Sequence, residues 1–279
     1  MSAAGGLPRA LERGARLGCG AVQLFLKSQL QWRGRPLGAE EVDAFGHAWA
    51  TTRIGAVFAH GSYLLNLAAP DETEWRRSVA ALHEELERAE RLGLPWVIVH
   101  PGSHKGQGRR FGLRRVAQAV DELAARTPGY RVRIALENSS GAGRLVGATA
   151  ADLGAVLARS RRPERLAVCL DTCHLFASGH DIRTAAGLEA TLAGFIRSVG
   201  LERIVAFHLN DARTELGSGL DRHEHIGRGK IGLTAFRALL RHPLLGGRPM
   251  VLETPKAEDG DRKNLATLRR LRRDASLRR

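Results

Sequence analysis

Cysteine is scarce in this 279-residue chain, which has only Cys19, Cys169 and Cys173. So small and odd a set argues against a disulfide framework and fits a reducing cytosol. No apolar run approaches the ~18 consecutive residues of a membrane-spanning helix, and no secretory leader is recognisable, so the expected protein is soluble and cytoplasmic. The chain also lacks a phosphate-cradling Walker loop, a GxSxG nucleophile elbow and a dinucleotide fingerprint, which counts against mechanisms built on them. Acidic residues are outnumbered: 29 Asp and Glu face 43 Lys and Arg, a net charge of +14. That excess implies an anionic partner, either nucleic acid or an acidic membrane surface.

What is present is a regular alternation. Apolar runs at residues 19–26, 53–59, 95–99, 132–136, 166–170, 204–207 and 250–252 read as strands. Between them, amphipathic stretches at 40–50, 71–92, 113–125, 149–159, 184–199 and 233–240 read as helices, with another at 8–17 before the first strand. Strand and helix alternate without a composition break or low-complexity linker, which predicts a parallel sheet and one domain over residues 1–279. Seven strands are visible, one short of a closed (β/α)8 TIM barrel. The chain from residue 263 to 279 predicts a basic C-terminal helix and tail, with Arg269, Arg270, Arg272 and Arg273 on a solvated face.

Almost every strand ends in a residue able to bind metal. Asp171 and His174 follow the run at 166–170; His60, His100, Glu137, His208 and Glu253 end others; Asp221 and His223 lie in the long polar loop at 209–232. A single Asp/His pair of this kind is more often a helix cap beside a satisfied histidine. Repetition at one end of successive strands changes that weighting, because barrel enzymes carry their chemistry there. Five imidazoles and four carboxylates suit zinc, with manganese or iron as second choices. Nine ligands exceed the needs of one or two ions, so three zinc ions are the economical expectation. Without metal, the four carboxylates would repel one another. A metal cluster in turn suits attack on a phosphodiester, whose charge and poor leaving group it offsets.

The chain resembles the endonuclease IV family of zinc-dependent apurinic/apyrimidinic endonucleases. The landmarks are SAAGGL at 2–7, HGSYLLN at 60–66, HPGSH at 100–104, ENSSGAG at 137–143, CLDTCHLFASGHDIRT at 169–184, HLND at 208–211, DRHEHIGRGKIG at 221–232 and LETP at 252–255. The resemblance implies one zinc on His60, His100 and Glu137, a second on the bridging Glu137 with Asp171, His208 and Glu253, and a third on His174, Asp221 and His223. It further implies hydrolysis of the phosphodiester 5′ to an abasic site in double-stranded DNA, leaving a 3′-hydroxyl and a 5′-deoxyribose phosphate. Glu137 and Glu253 are then the catalytic carboxylates, Glu253 orienting or deprotonating the nucleophile. Tyr63 and Leu64 match the loop that enters the duplex at the lesion, and Arg33 lies in a segment, with Gln31 and Trp32, that matches one near the DNA. The same resemblance implies a cytoplasmic monomer that meets the nucleoid through DNA and needs no membrane.

The remaining histidines receive plainer expectations. His104 is read as support or solvent-facing, His180 and His225 as support or phosphate contacts, and His47, His83 and His242 as surface residues. Family members begin with an apolar strand leading into the small-residue loop, whereas here Met1 stands where that strand should end. The expectation is a late start codon, or a barrel with a gap; none of the nine ligands is affected. The rival function is a metal-dependent barrel sugar isomerase or epimerase, which needs one or two ions and gains nothing from a +14 surface. A noncatalytic nucleic-acid-binding protein is the third reading, and it predicts indifference to chelation.

Overall fold

Runs of β-branched and other apolar residues alternate with amphipathic stretches, and this pattern folds into strands covered by helices. The computed structural model describes residues 1–256 and 259–273. In chain order the elements are α1 (Leu7–Arg16), β1 (Ala21–Phe25), α2 (Ala39–Thr52), β2 (Ala56–His60), α3 (Glu72–Arg91), β3 (Trp96–Val99), α4 (Arg109–Arg126), β4 (Arg133–Glu137), α5 (Ala150–Arg159), β5 (Leu166–Asp171), α6 (Thr172–Ala177), α7 (Ala185–Val199), β6 (Ile204–His208), β7 (Asp211–Ala212), β8 (His223–Glu224), α8 (Leu233–Arg241), β9 (Met250–Val251) and α9 (Gly260–Arg273).

Among the described residues the main sheet has seven strands, all parallel, in the order β1-β2-β3-β4-β5-β6-β9. This is a TIM-barrel fold, nearly closed. Among the described residues neither β1 nor β9 has a strand on its far side, and both contribute to a cavity of about 1080 Å³ lined by Met1, Gln23, Leu26, Met250, Glu253 and Leu268, among others. The Met1 ammonium donates to the Gln23 carbonyl at 2.8 Å, so one of the backbone acceptors on that open edge is satisfied.

Two apolar layers follow from the pleat. Alternate strand residues such as Val57, Val97, Leu136, Val168 and Phe207 pack outward against the helices. The intervening Phe58, Ile98, Ala135, Cys169, Ala206 and Val251 fill the barrel interior. Helix α3 shows how an outer element is fixed. Asp71 caps it by accepting from the Glu74 amide, and Trp75, Val79, Leu82, Leu86 and Ala89 form its buried stripe.

Local differences from the sequence expectations have physical causes. Helix α4 starts at Arg109 rather than 113, because Gly108 enters it with φ 92° and the Arg109 guanidinium pairs with Asp152 on α5. The loop at 209–232 contains the antiparallel ribbon β7–β8, too short to show a period of two. His242, expected at the surface, is 7% exposed and lies 2.9 Å from Glu189. Helix α9 is not merely a solvated basic face: Leu268 and Leu271 are buried, and Arg269 donates to the carbonyls of Leu17 and Gly18 at 2.6 and 2.8 Å. The rest of the predicted tail, 274–279, lies outside the described residues. No helix among those residues is long and apolar enough to cross a membrane.

Candidate metal centre

The period of two that fills the barrel also aims its functional groups. Two residues beyond each interior apolar side chain, on the same face, stand His60 after Phe58, His100 after Ile98, Glu137 after Ala135, Asp171 after Cys169, His208 after Ala206 and Glu253 after Val251. The six therefore meet at the C-terminal mouth of the barrel. Helix α6 adds His174 one turn after β5, and the β7–β8 ribbon with its connecting loop brings Asp221 and His223 over the same opening.

Glu137 sits at the centre, with no exposure to solvent. Its Oε2 lies 3.2 Å from His60 Nε2 and 3.8 Å from His100 Nε2; its Oε1 lies 2.9 Å from His208 Nδ1 and 3.2 Å from His174 Nδ1. His208 Nδ1 is also 3.1 Å from Glu253 and 3.9 Å from Asp171. Asp221 spans two imidazoles, with one oxygen 3.1 Å from His174 Nε2 and the other 3.1 Å from His223 Nε2.

All nine residues singled out from the sequence are thus brought together. Ligand atoms lie within 4.8 Å of one another in four sets: His60, His100 and Glu137; Glu137, Asp171, His208 and Glu253; Asp171, His174 and His223; and Cys173, Asp221 and His223. The first two sets coincide with the expected ones. In the third, Asp171 joins His174 and His223, so Asp171 as well as Glu137 is shared between sets. Burial and the nearby Asp171 push the Cys173 thiol up to about 12 in the metal-free protein.

Asp171 satisfies both of its competing readings. One oxygen caps α6 by accepting from the His174 amide at 2.8 Å, while the other faces His208 and His223 and accepts from Asn210 Nδ2 at 2.5 Å.

The imidazoles are oriented by fixed acceptors. His60 Nδ1 donates to the Gly61 carbonyl, His174 Nδ1 to the Asn138 carbonyl and His223 Nδ1 to the Glu253 carbonyl, at 2.7, 2.9 and 3.0 Å. In all three the Nε2 is left pointing at the carboxylates. For His208 the holder is Gln23. Its Nε2 donates to Glu253 at 2.7 Å, which turns its Oε1 towards His208 Nε2 at 2.8 Å and leaves His208 Nδ1 for the cluster. Asn138 also accepts from the Asp171 amide, and Asn210 from the Glu253 amide.

Sequence reasoning missed Gln23, Asn138 and Asn210. The signals were present: a polar side chain in the middle of the otherwise apolar strand AVQLF, and amides one or two positions after Glu137 and His208.

Electrostatics bind the cluster further. Burial opposes ionisation of Glu137, but the imidazoles of His208 and His100 and hydrogen bonds from His174 and His208 hold its pKa well below the usual carboxylate range. Burial likewise disfavours charge on His223, yet Asp171 and Asp221 raise it to about 9. Against their own burial, His174 is raised well above the ordinary value by Asp171, Asp221 and Glu137, and His208 by Cys169, Glu137 and Glu253. The donors are nitrogen and oxygen, and His223 Nε2, although close to Asp221, is buried without a hydrogen bond of its own. That combination fits divalent cations of the zinc class.

The loops around the mouth carry the residues singled out for DNA. Tyr63 is 52% exposed, its ring 5.7 Å from that of His60 and 5.5 Å from that of Phe25. Arg33 is exposed, whereas Leu64 is half-buried. Leu30, Leu145 and Leu220 are exposed on neighbouring loops of the same face. His104 Nδ1 accepts the amides of Gly106 and Gly108, a loop-shaping role, and His225 pairs with Asn264.

Residues 11–271 match a family model described as xylose isomerase-like TIM barrel. A relative from Geobacter sulfurreducens named probable endonuclease 4 is 44% identical over 97% of this chain and 92% of its own. The crystal structure of endonuclease IV from Thermus thermophilus superposes with a TM-score of 0.85 at 37% identity, over 95% of this chain and 94% of that one. A solved D-tagatose 3-epimerase-like protein shares only the fold, with a TM-score of 0.70 at 17% identity over 92% of this chain and 90% of that one. With relatives of this kind matched over nearly their whole length, the chain belongs to the endonuclease IV family.

Proposed function

We propose that this protein is a DNA-repair hydrolase that cleaves the phosphodiester 5′ to abasic sites in duplex DNA, leaving a 3′-hydroxyl and a 5′-deoxyribose phosphate. The observation that carries the reading is the convergence of five imidazoles and four carboxylates on one barrel mouth. His60, His100 and Glu137 hold one ion, Glu137, Asp171, His208 and Glu253 a second, and His174, Asp221 and His223 a third, with zinc the preferred metal and manganese or iron substitutes. Bound there, divalent ions supply positive charge to the phosphodiester and lower the pKa of water. An epimerase site needs fewer ligands and has no use for a net charge of +14.

The chain's own groups set up the rest. Glu253 is the cluster carboxylate that is both deep and partly accessible, its side chain 19% exposed against none for Glu137 and Asp171. Against the effect of burial, His208 holds its carboxyl at about 2, so it stays ionised and orients the nucleophile. Tyr63 stands where it can enter the hole left by a missing base, with Leu64 behind it, and Arg33 reaches a backbone phosphate. The protein acts as a monomer on this substrate.

The direct test is incision of a duplex holding one abasic site, before and after prolonged chelation. Incision lost on chelation and restored by zinc is expected; incision indifferent to chelation contradicts the reading. Tyr63→Ala should weaken binding of the abasic duplex by about 1–3 kcal/mol, the worth of one stacked ring. Metal content should stay at the wild-type value, and loss of metal in this variant would place Tyr63 in the cluster instead.

Metal loading should also be coupled to protons. His223 is raised from 6.5 to about 9 and is protonated in the metal-free protein at pH 7, and His174 and His208 are shifted in the same direction, well above 6.5. Their charge stabilises the metal-free fold below pH 6.5, and the His223 part of it disappears as pH rises through about 9. Zinc uptake at pH 7 is therefore expected to release protons, and zinc affinity to rise towards pH 9. Titration calorimetry in two buffers of different ionisation enthalpy measures the release; an identical heat in both would refute the coupling.

A further inference from the structure

Beneath the loops that follow β1 and β2 lies an ion pair that the metal clusters do not use. Lys27 places its ammonium 3.2 Å from Glu85 Oε1 on α3, with the two side chains 3% and 1% exposed. The same ammonium donates to the Trp32 carbonyl at 2.7 Å, in the loop after β1. The same Glu85 oxygen accepts from the Ser62 amide at 3.2 Å, in the loop after β2. Ser62 then joins the loops directly: its hydroxyl donates to the Gln29 carbonyl at 2.7 Å and accepts from the Leu64 amide at 3.2 Å.

Neighbouring residues of α3 repeat the attachment. The Gly34 amide donates to Glu84 at 2.8 Å, and Arg88 donates to the carbonyls of Leu26, at 3.1 Å, and Arg35. The loops lie close on these groups. A Cβ at Gly61 would stand 3.1 Å from Glu85 Oε2, and one at Gly34 would stand 2.5 Å from Arg88 Nη2 and 3.0 Å from Lys27 Cβ. Glu85 Oε2 itself has no hydrogen-bond partner. A buried pair left partly unsatisfied adds little to stability, and apolar residues of similar volume would serve the core as well or better. What such residues could not do is hold the Trp32 carbonyl and the Ser62 amide at once.

We propose that Lys27 and Glu85 are positioning residues that lock the Arg33 loop and the Tyr63 loop into one register for the damaged duplex. The duplex part rests on the nuclease function proposed above. On this proposal the exposed ring of Tyr63 and the cation of Arg33 are set relative to each other before DNA arrives, which lowers the ordering cost of binding.

The test compares metal-loaded wild type with Glu85→Gln and with the double variant Lys27→Met/Glu85→Met. Melting temperature, metal content, hydrogen exchange of residues 28–36 and 61–66, affinity for an abasic duplex and single-turnover incision at saturating duplex are read for each. In E85Q, exchange in both loops should rise and duplex Kd increase about tenfold, with metal content unchanged and the saturated incision rate within about threefold. The double variant should recover the melting temperature but neither the loop protection nor the affinity. Wild-type exchange in either loop of E85Q overturns the proposal, as does a double variant that regains protection and affinity together with stability. Loosened loops with unchanged affinity overturn the positioning role while incision leaves the nuclease reading standing. A wild-type protein that neither binds nor cuts the duplex sinks the nuclease reading and the duplex part of this one, and exchange still decides whether the pair couples the loops.

Discussion

Glu137→Ala is expected to lower abasic-site incision by about a thousandfold or more, a transition-state loss of about 4 kcal/mol. Its two oxygens divide the work of the site. One faces His60 and His100, the other His208 and His174, so Glu137 joins the first ligand set to the second, as Asp171 joins the second to the third. Removing it opens two ligand sets and leaves the raised imidazoles without their central counter-charge. Metal content should therefore fall together with activity, measured on the same sample by elemental analysis and single-turnover incision. A variant that loses metal and still cuts, or keeps a full complement and wild-type rate, would remove Glu137 from its shared position.

Asp171 offers the second large effect, and a way to separate two roles carried by one side chain. Asp171→Asn keeps an oxygen to accept the His174 amide at the start of α6 but removes the charge facing His208 and His223. Incision should drop by about a hundredfold or more, while the melting temperature of the metal-free protein, which also loses the bond from Asn210 and a counter-charge for His174 and His223, falls less than in Asp171→Ala. Asp171→Ala should lose activity to the same extent and also forfeit the cap, worth about 1 kcal/mol. If the asparagine variant kept wild-type incision, Asp171 would be a helix cap and nothing more.

The convergence of the strand-end imidazoles and carboxylates was legible in the sequence because each obeys two local rules at once. A run such as AVFAH or IALE is apolar enough to be a strand buried on both faces, and its last inward residue is abruptly polar. The alternation that packs Phe58 and Ala135 inside the barrel fixes the direction of His60 and Glu137 without further information. Groups whose role depends on distant partners were not legible. Gln23 matters because it lies between His208 and Glu253, contacts set by the near-closure of β1 against β9. His242 looked like a surface histidine because nothing near it in sequence announces Glu189. The third ligand set was read with Asp221, which lies 3.1 Å from both His174 and His223; the fold also brings Asp171 within 3.9 and 3.8 Å of them, a consequence of the tight turn from β5 into α6. The Lys27–Glu85 pair is the extreme case: a lysine after a strand and a glutamate in an amphipathic helix carry no local mark of each other.

Elemental analysis of the purified, undialysed chain is the measurement on which the metal reading stands most directly. Three zinc ions per chain, lost on prolonged chelation together with incision, is the result expected from nine convergent ligands. A protein that binds no divalent metal, or that cuts abasic DNA at full rate without any, would contradict it.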